Sequence, residues 1–182
     1  MNDNRPKLRI LVLGIGNVLL SDEGLGVAAV AALAAKYRLP DQVELLDGGT
    51  AGFELLGQIS NKDCLIIVDA LKNGAPPGTV LRLAGAEVPA AFMTRISPHQ
   101  LGISDVLAAA MLLGELPARL VLFGMEPQSL ATGCGLSATV AANLERLLAM
   151  IITELEELDC EPELLAATQT AAAAPGMWRF ER

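Results

Sequence analysis

Gly14-Ile-Gly-Asn-Val-Leu-Leu-Ser-Asp-Glu-Gly-Leu-Gly26 is the stretch that decides the fold, together with the run at 8–13 before it. That run is almost wholly aliphatic, which predicts a buried strand. Two glycines then permit a sharp exit from the sheet, and an alanine-rich helical pattern begins at Gly24. Asp22 and Glu23 lie directly before this helix. Small residues followed by two carboxylates favour a site that attracts a cation over one that binds phosphate.

Strand and helix patterns alternate along the rest of the chain. The expected strands are 8–13, 43–46, 64–68, 79–83 and 120–124, and the expected helices are 24–37, 53–59, 101–113 and 136–158. Apolar strands interleaved with helices predict an α/β fold, a three-layer αβα sandwich around a twisted, mainly parallel sheet. We expect one domain over residues 1–158 and a poorly ordered tail over 159–182, in which Trp178 has no assigned role.

Composition limits the function classes. The 182 residues carry a net charge of −8 and no cluster of lysine or arginine, so nucleic acid and anionic membrane surfaces are poor partners. No apolar run approaches the roughly 20 residues of a membrane span. Glycines and an asparagine interrupt the apolar start of the chain at 14, 16 and 17, which argues against a signal peptide. We therefore expect a cytoplasmic protein.

The three cysteines support the same compartment. Cys64, Cys134 and Cys160 are far apart and odd in number, so neither a disulfide framework nor a CxxC site follows. A reducing environment is the simpler interpretation. We expect Cys64 and Cys134 to be core or loop thiols.

Three side chains form a candidate metal site. Glu23 follows the first strand and Asp69 directly follows the third, and these strands are neighbours if the strand order is 2-1-3. Ligands bind outside the carboxyl ends of such strands, so both carboxylates are expected to open into one crevice. His99, the single histidine, precedes a helix on a loop that can cover this edge. Two carboxylates and an imidazole suit a divalent ion such as Ni, Zn or Mn.

Each of these residues also has an ordinary structural interpretation. Glu23 in a first helical turn would interact favourably with the helix dipole. Asp69 could cap a turn through its side chain, and His99 could be a structural hydrogen-bonding residue. Asp22 is expected to be solvated or a cap rather than a ligand.

A second candidate site follows the second strand, in Asp47-Gly-Gly-Thr-Ala-Gly52. Its backbone N–H groups could hold an anion or a peptide carbonyl, and a plain glycine-rich turn with an Asp cap is equally compatible. The candidate substrate-binding residues are Asp47, Gly48, Gly49 and Thr50. A dinucleotide site is disfavoured, because Leu19 stands where the third glycine of that fingerprint belongs.

Four ordered blocks of the chain resemble the nickel–iron hydrogenase maturation endopeptidases. The blocks are Gly14-Ile-Gly-Asn-Val-Leu-Leu-Ser-Asp-Glu-Gly-Leu-Gly-Val27, Leu45-Leu-Asp-Gly-Gly-Thr-Ala-Gly52, Ile66-Ile-Val-Asp-Ala70 and Ile96-Ser-Pro-His-Gln-Leu-Gly102. The segment Leu122-Phe-Gly-Met-Glu-Pro127 also resembles the family. The resemblance covers roughly residues 8–155 and leaves out the segment after Cys160.

This resemblance implies a specific activity. Members of the family remove a short C-terminal extension from the precursor of the hydrogenase large subunit, after nickel has entered that subunit. Their metal-contacting residues match Glu23, Asp69 and His99. The nickel is then carried by the substrate rather than resident, and other divalent ions can occupy the same ligands.

The residues also exclude some mechanisms. No HExxH motif exists, and no Gly-x-Ser-x-Gly elbow accompanies the single histidine. Either Glu23 or Asp69 could serve as general base.

Two other functions stay open: a non-enzymatic metal-binding chaperone of hydrogenase assembly, and a nucleotide-binding α/β enzyme.

Overall fold

The computed structural model describes residues 7–93 and 102–166. Its strands are β1 (Ile10–Ile15), β2 (Tyr37–Arg38), β3 (Val43–Gly49), β4 (Cys64–Ala70), β5 (Val80–Ala84), β6 (Arg119–Met125) and β7 (Glu163–Leu164). Its helices are α1 (Leu25–Lys36), α2 (Leu56–Ile59), α3 (Glu87–Met93), α4 (Ile103–Leu113) and α5 (Ala138–Glu156). Single 3₁₀ turns span Ser21–Gly24 and Phe53–Leu55.

The central sheet has five strands in the order β3-β1-β4-β6-β5. The first four run parallel, and β5 pairs antiparallel with β6 at the edge. The mainly parallel sheet is therefore confirmed. The 2-1-3 order on which the candidate site was conditional is the one observed, because β1 lies between β3 and β4.

Alternation along the strands sends side chains to two separate cores. In β4, Ile66 and Val68 face a cluster that includes Leu33 of α1 and Ile151 of α5. Leu65 and Ile67 face the opposite cluster, to which α2, α3 and α4 contribute. Every residue of β4 is buried, as expected for a central strand covered on both faces. The αβα sandwich is confirmed.

A buried carboxylate ties the last long helix to the sheet. Glu154 of α5 is 3% exposed and accepts hydrogen bonds from two arginines. Arg82 of β5 approaches it at 2.6 Å and 3.1 Å, and Arg119 of β6 at 2.6 Å. Burial acts to raise the pKa of Glu154, but the side-chain hydrogen bonds from both arginines outweigh it and hold the pKa below its usual value.

Two features were absent from the sequence interpretation. Helix α3 contains Pro89, which is tolerated because it lies in the first turn, where backbone N–H groups have no intrahelical partner. Strands β2 and β7 form a two-residue antiparallel pair, reinforced by an Arg38–Glu163 ion pair at 3.0 Å. Part of the expected tail over 159–182 thus pairs with the domain, and residues 167–182, with Trp178, lie outside the described residues.

Within residues 7–93 and 102–166, no helix combines the length and the apolar character needed to cross a bilayer.

Candidate active site

The two predicted carboxylates belong to segments that meet at one edge of the sheet. Strands β1 and β4 pair in parallel with Gly14 opposite Val68, so the chain leaves both strands side by side. Glu23 lies half-buried in the 3₁₀ turn Ser21–Gly24, and that turn contacts β4. Asp69 is the penultimate residue of β4 and is 3% exposed. Both segments therefore lie at the same edge of the sheet, and the crevice shared by the two carboxylates stays a prediction.

Two glycines allow this close approach. A Cβ built on Gly26 would lie 2.2 Å from the carbonyl oxygen of Val68 and 2.4 Å from that of Ile15. The start of α1 therefore lies directly against the ends of both strands. Gly16 has a φ of +131° and faces the backbone of Glu23. No larger residue would fit at either position without moving the backbone.

Asp22 was expected to be solvated or a cap; it is buried, so the first alternative is wrong, and its carboxylate binds backbone N–H groups as a cap does. It has no exposed surface, and its carboxylate accepts three backbone hydrogen bonds. One oxygen accepts from Gln128 and Ser129, both at 2.9 Å, and the other accepts from Ser137 at 2.6 Å. Burial acts to raise the pKa of Asp22, but these donors, Ser137 first, hold the pKa below its usual value.

Glu126 holds the chain that follows Asp69. Its side chain is 8% exposed and accepts hydrogen bonds from the backbone N–H groups of Asn73 at 2.6 Å and Gly74 at 3.1 Å. The sequence interpretation missed this role. The only available signal was the position of Glu126 directly after an apolar strand, which does not reveal its partners.

The second candidate site lines an open cleft of about 200 Å³. Asp47, Gly49 and Thr50 line it together with the loop residues Val18 and Leu19. A carboxylate oxygen of Asp47 accepts the N–H of Gly49 at 3.0 Å, which fixes a tight turn at the end of β3. Gly48, the fourth predicted residue, is buried and does not line the cleft.

The third predicted ligand, His99, lies outside the described residues. Among residues 7–93 and 102–166, no group of three His, Cys, Asp or Glu side chains is arranged to hold a metal ion. The ligand set Glu23, Asp69 and His99 stays a prediction. The structure shows that the turn with Glu23 and the strand end with Asp69 lie at the same edge of the sheet.

Comparison with known proteins agrees with the resemblance in the motifs. The family model described as hydrogenase maturation protease matches residues 27–154. The hydrogenase 2 maturation protease of Escherichia coli K12 is 53% identical over 156 residues, covering 85% of this chain and 94% of that protein. The hydrogenase expression/formation protein HupM of Azotobacter chroococcum is 43% identical over 177 residues, covering 94% and 84%.

Solved structures share the fold. The hydrogenase maturating endopeptidase HybD from Escherichia coli superposes with a TM-score of 0.82 at 51% identity, covering 86% of this chain and 98% of that chain. A hydrogenase 2 maturation peptidase from a Thaumarchaeota archaeon superposes with a TM-score of 0.64 at 29% identity, covering 81% and 98%. With its ordered motifs, its five-stranded sheet and this similarity over most of its length, the chain belongs to the hydrogenase maturation protease family.

Proposed function

We propose that the chain is a metal-dependent endopeptidase that removes the C-terminal extension of a nickel–iron hydrogenase large-subunit precursor after nickel insertion. One observation carries the proposal. The turn with Glu23 and the strand end with Asp69 lie together at the carboxyl edge of β1 and β4, in a chain of the maturation protease family. This edge is where a doubly wound sheet binds its ligands.

The nickel is part of the substrate in this proposal. Glu23, Asp69 and His99 would complete its coordination, and their donor atoms, carboxylate oxygen and imidazole nitrogen, suit a divalent ion such as Ni, Zn or Mn. Asp69 is largely withdrawn from solvent, so an ion beside it would be weakly screened.

The bound nickel would position the scissile bond and polarise either its carbonyl or a water molecule. Glu23 and Asp69 are both candidates for the general base that takes the proton of that water. Hydrolysis then leaves a new carboxylate on the large subunit and a free amine on the released extension.

The cleft beside Asp47 provides room for the precursor peptide. Its walls combine the tight turn at the end of β3 with the apolar residues Val18 and Leu19, which are 49% and 59% exposed. Exposed apolar side chains next to backbone polar groups suit an extended peptide, whose own backbone needs hydrogen-bond partners.

The decisive experiment incubates the purified chain with nickel-loaded precursor and follows the mobility of the precursor on a denaturing gel, with mass spectrometry of the released peptide. We expect cleavage of the loaded precursor and none of the nickel-free precursor. Binding without cleavage would instead support the chaperone function. Micromolar dinucleotide affinity would support the nucleotide-binding enzyme.

Three variants test the ligands. Glu23→Gln, Asp69→Asn and His99→Ala should each abolish processing while the chain stays folded. A residual activity with a collapsed melting temperature would contradict the role of the substituted residue.

The pH dependence of nickel binding tests His99 separately. Imidazole ligates when neutral, so nickel affinity should fall as the pH drops through about 6.5. An affinity unchanged well below that pH would exclude His99.

A further inference from the structure

We propose that Asp22 is a positioning residue for the reaction, because its buried carboxylate fixes the turn that carries Glu23 against the loop between β6 and α5. The inference rests on the proposed function, in which Glu23 contacts the substrate's metal. Asp22 itself is not a catalytic residue. It has no exposed surface, and both of its oxygens are occupied by backbone N–H groups.

The backbone of Asp22 and the residue before it, Ser21, also bond to the loop. The N–H of Asp22 donates to the carbonyl of Ser129 at 3.1 Å, and the N–H of Ser21 donates to the carbonyl of Gly133 at 2.8 Å. The hydroxyl of Ser21 donates to the carbonyl of Ala131 at 3.0 Å. Without these bonds the turn would depend on its own internal hydrogen bonds, and a single 3₁₀ turn has little intrinsic stability.

The same loop also holds the other carboxylate-bearing segment. Residues 126–129 begin with Glu126, whose side chain binds the N–H groups of Asn73 and Gly74, just beyond Asp69. They end with Gln128 and Ser129, which donate to Asp22. This segment therefore connects the chain after Asp69 to the chain before Glu23. Its hydrogen bonds set the relative position of the two carboxylates.

The geometry of the acceptor explains why the residue must be an aspartate. A carboxylate presents two acceptor oxygens, and here they receive three N–H donors from two directions. Asparagine has the same shape but only one acceptor oxygen. Asp22→Asn can keep the bonds from Gln128 and Ser129, or the bond from Ser137, but not all three. Its NH₂ group would then face a backbone N–H.

The test compares Asp22→Asn with Glu154→Gln. The second variant also replaces a buried carboxylate with an amide, but that carboxylate accepts from Arg82 and Arg119 and not from the loop that holds Asp22. For Asp22→Asn we expect kcat for the nickel-loaded precursor to fall by roughly tenfold or more, with KM unchanged, because small misplacements of reacting groups cost that much. Glu154→Gln should keep the kcat of the native chain.

Native-state hydrogen exchange provides a readout independent of activity. In Asp22→Asn the amides of Glu23, Gln128 and Ser129 should exchange faster, while those of β4 stay protected. An unchanged kcat, or unchanged exchange at Glu23, would overturn the inference. An equal loss of kcat in Glu154→Gln would also overturn it, because the effect would then be one of general stability. Failure of the proposed function is distinguishable, since the native chain itself would leave the precursor uncut.

Discussion

The carbonyl oxygen of Glu23 occupies the space that any side chain at position 16 would need. A Cβ built on Gly16 would lie 1.7 Å from that oxygen, far inside any real contact. The φ of +131° at Gly16 is also one that side chains rarely adopt. The exit of β1 and the turn of Glu23 therefore fit together only when residue 16 is glycine.

Gly16→Ala should displace the turn of Glu23 and destabilise the fold. We expect a loss of about 2–4 kcal/mol in the free energy of unfolding, from overpacking and backbone strain together, and a loss of processing. Urea unfolding and the gel assay measure both effects. Gly57→Ala is the matched control, because nothing lies within 4 Å of its added Cβ and it sits in α2. A native-like Gly16→Ala would refute the close approach.

Acid should weaken the fold through Glu154. Its folded pKa lies below the unfolded value, so its stabilisation is present above the unfolded pKa, near 4.3, and is lost as the pH falls through the folded pKa. The pKa of Asp22 is also lower in the folded chain, so Asp22 adds to the loss of stability in acid. Glu154→Gln should cost about 2 kcal/mol at pH 7 and give a shallower decline on acidification. Urea unfolding from pH 7 to pH 3 measures this, and parallel pH curves for variant and native chain would contradict it.

Asp47→Ala should weaken binding of the precursor. The substitution removes the acceptor that holds the N–H of Gly49, so the turn lining the cleft loses its fixed shape. We expect KM for the precursor to rise by about tenfold, corresponding to one hydrogen bond of about 1.4 kcal/mol, with little change in kcat. Asp47→Asn keeps an acceptor oxygen and serves as the control. Native kinetics in Asp47→Ala would remove the turn from the substrate site.

Thiol reactivity should distinguish the three cysteines. Burial raises the pKa of Cys64 to about 11, which leaves about 0.1% of it as reactive thiolate at pH 8. Cys160 is also buried, whereas Cys134 is exposed. A chromogenic disulfide reagent should therefore titrate one thiol rapidly in the native chain and all three cysteines in denaturant. Cys134→Ser should abolish the rapid phase, and rapid labelling that persists in this variant would contradict the burial of the other two.

Local patterns were sufficient for most of the sheet. The aliphatic runs at 8–13 and 64–68 indicate strands that are buried on both faces of the sheet. Because helical patterns separate these strands along the chain, neighbouring strands are expected to run parallel. The sequence does not indicate that β5 is antiparallel. Most residues of Val80–Ala84 are half-buried, and this burial pattern is the same for a parallel and an antiparallel edge strand. The pair β2–β7 is too short for any periodicity and joins positions far apart in the chain.

By itself the sequence determined the α/β class and the alternation of strands with helices, because the spacing of apolar residues along the chain reflects how each element is buried. The edge at which Glu23 and Asp69 meet followed only if the first three strands take the common 2-1-3 order. Only the tertiary structure decided what Asp22 and Glu126 do. Asp22 binds donors 106 to 115 positions away, and which backbone N–H groups reach a buried carboxylate depends on how the loops pack. The residues next to Asp22 and Glu126 in the sequence therefore do not reveal these hydrogen bonds, because the bonded loops meet only after the sheet has formed.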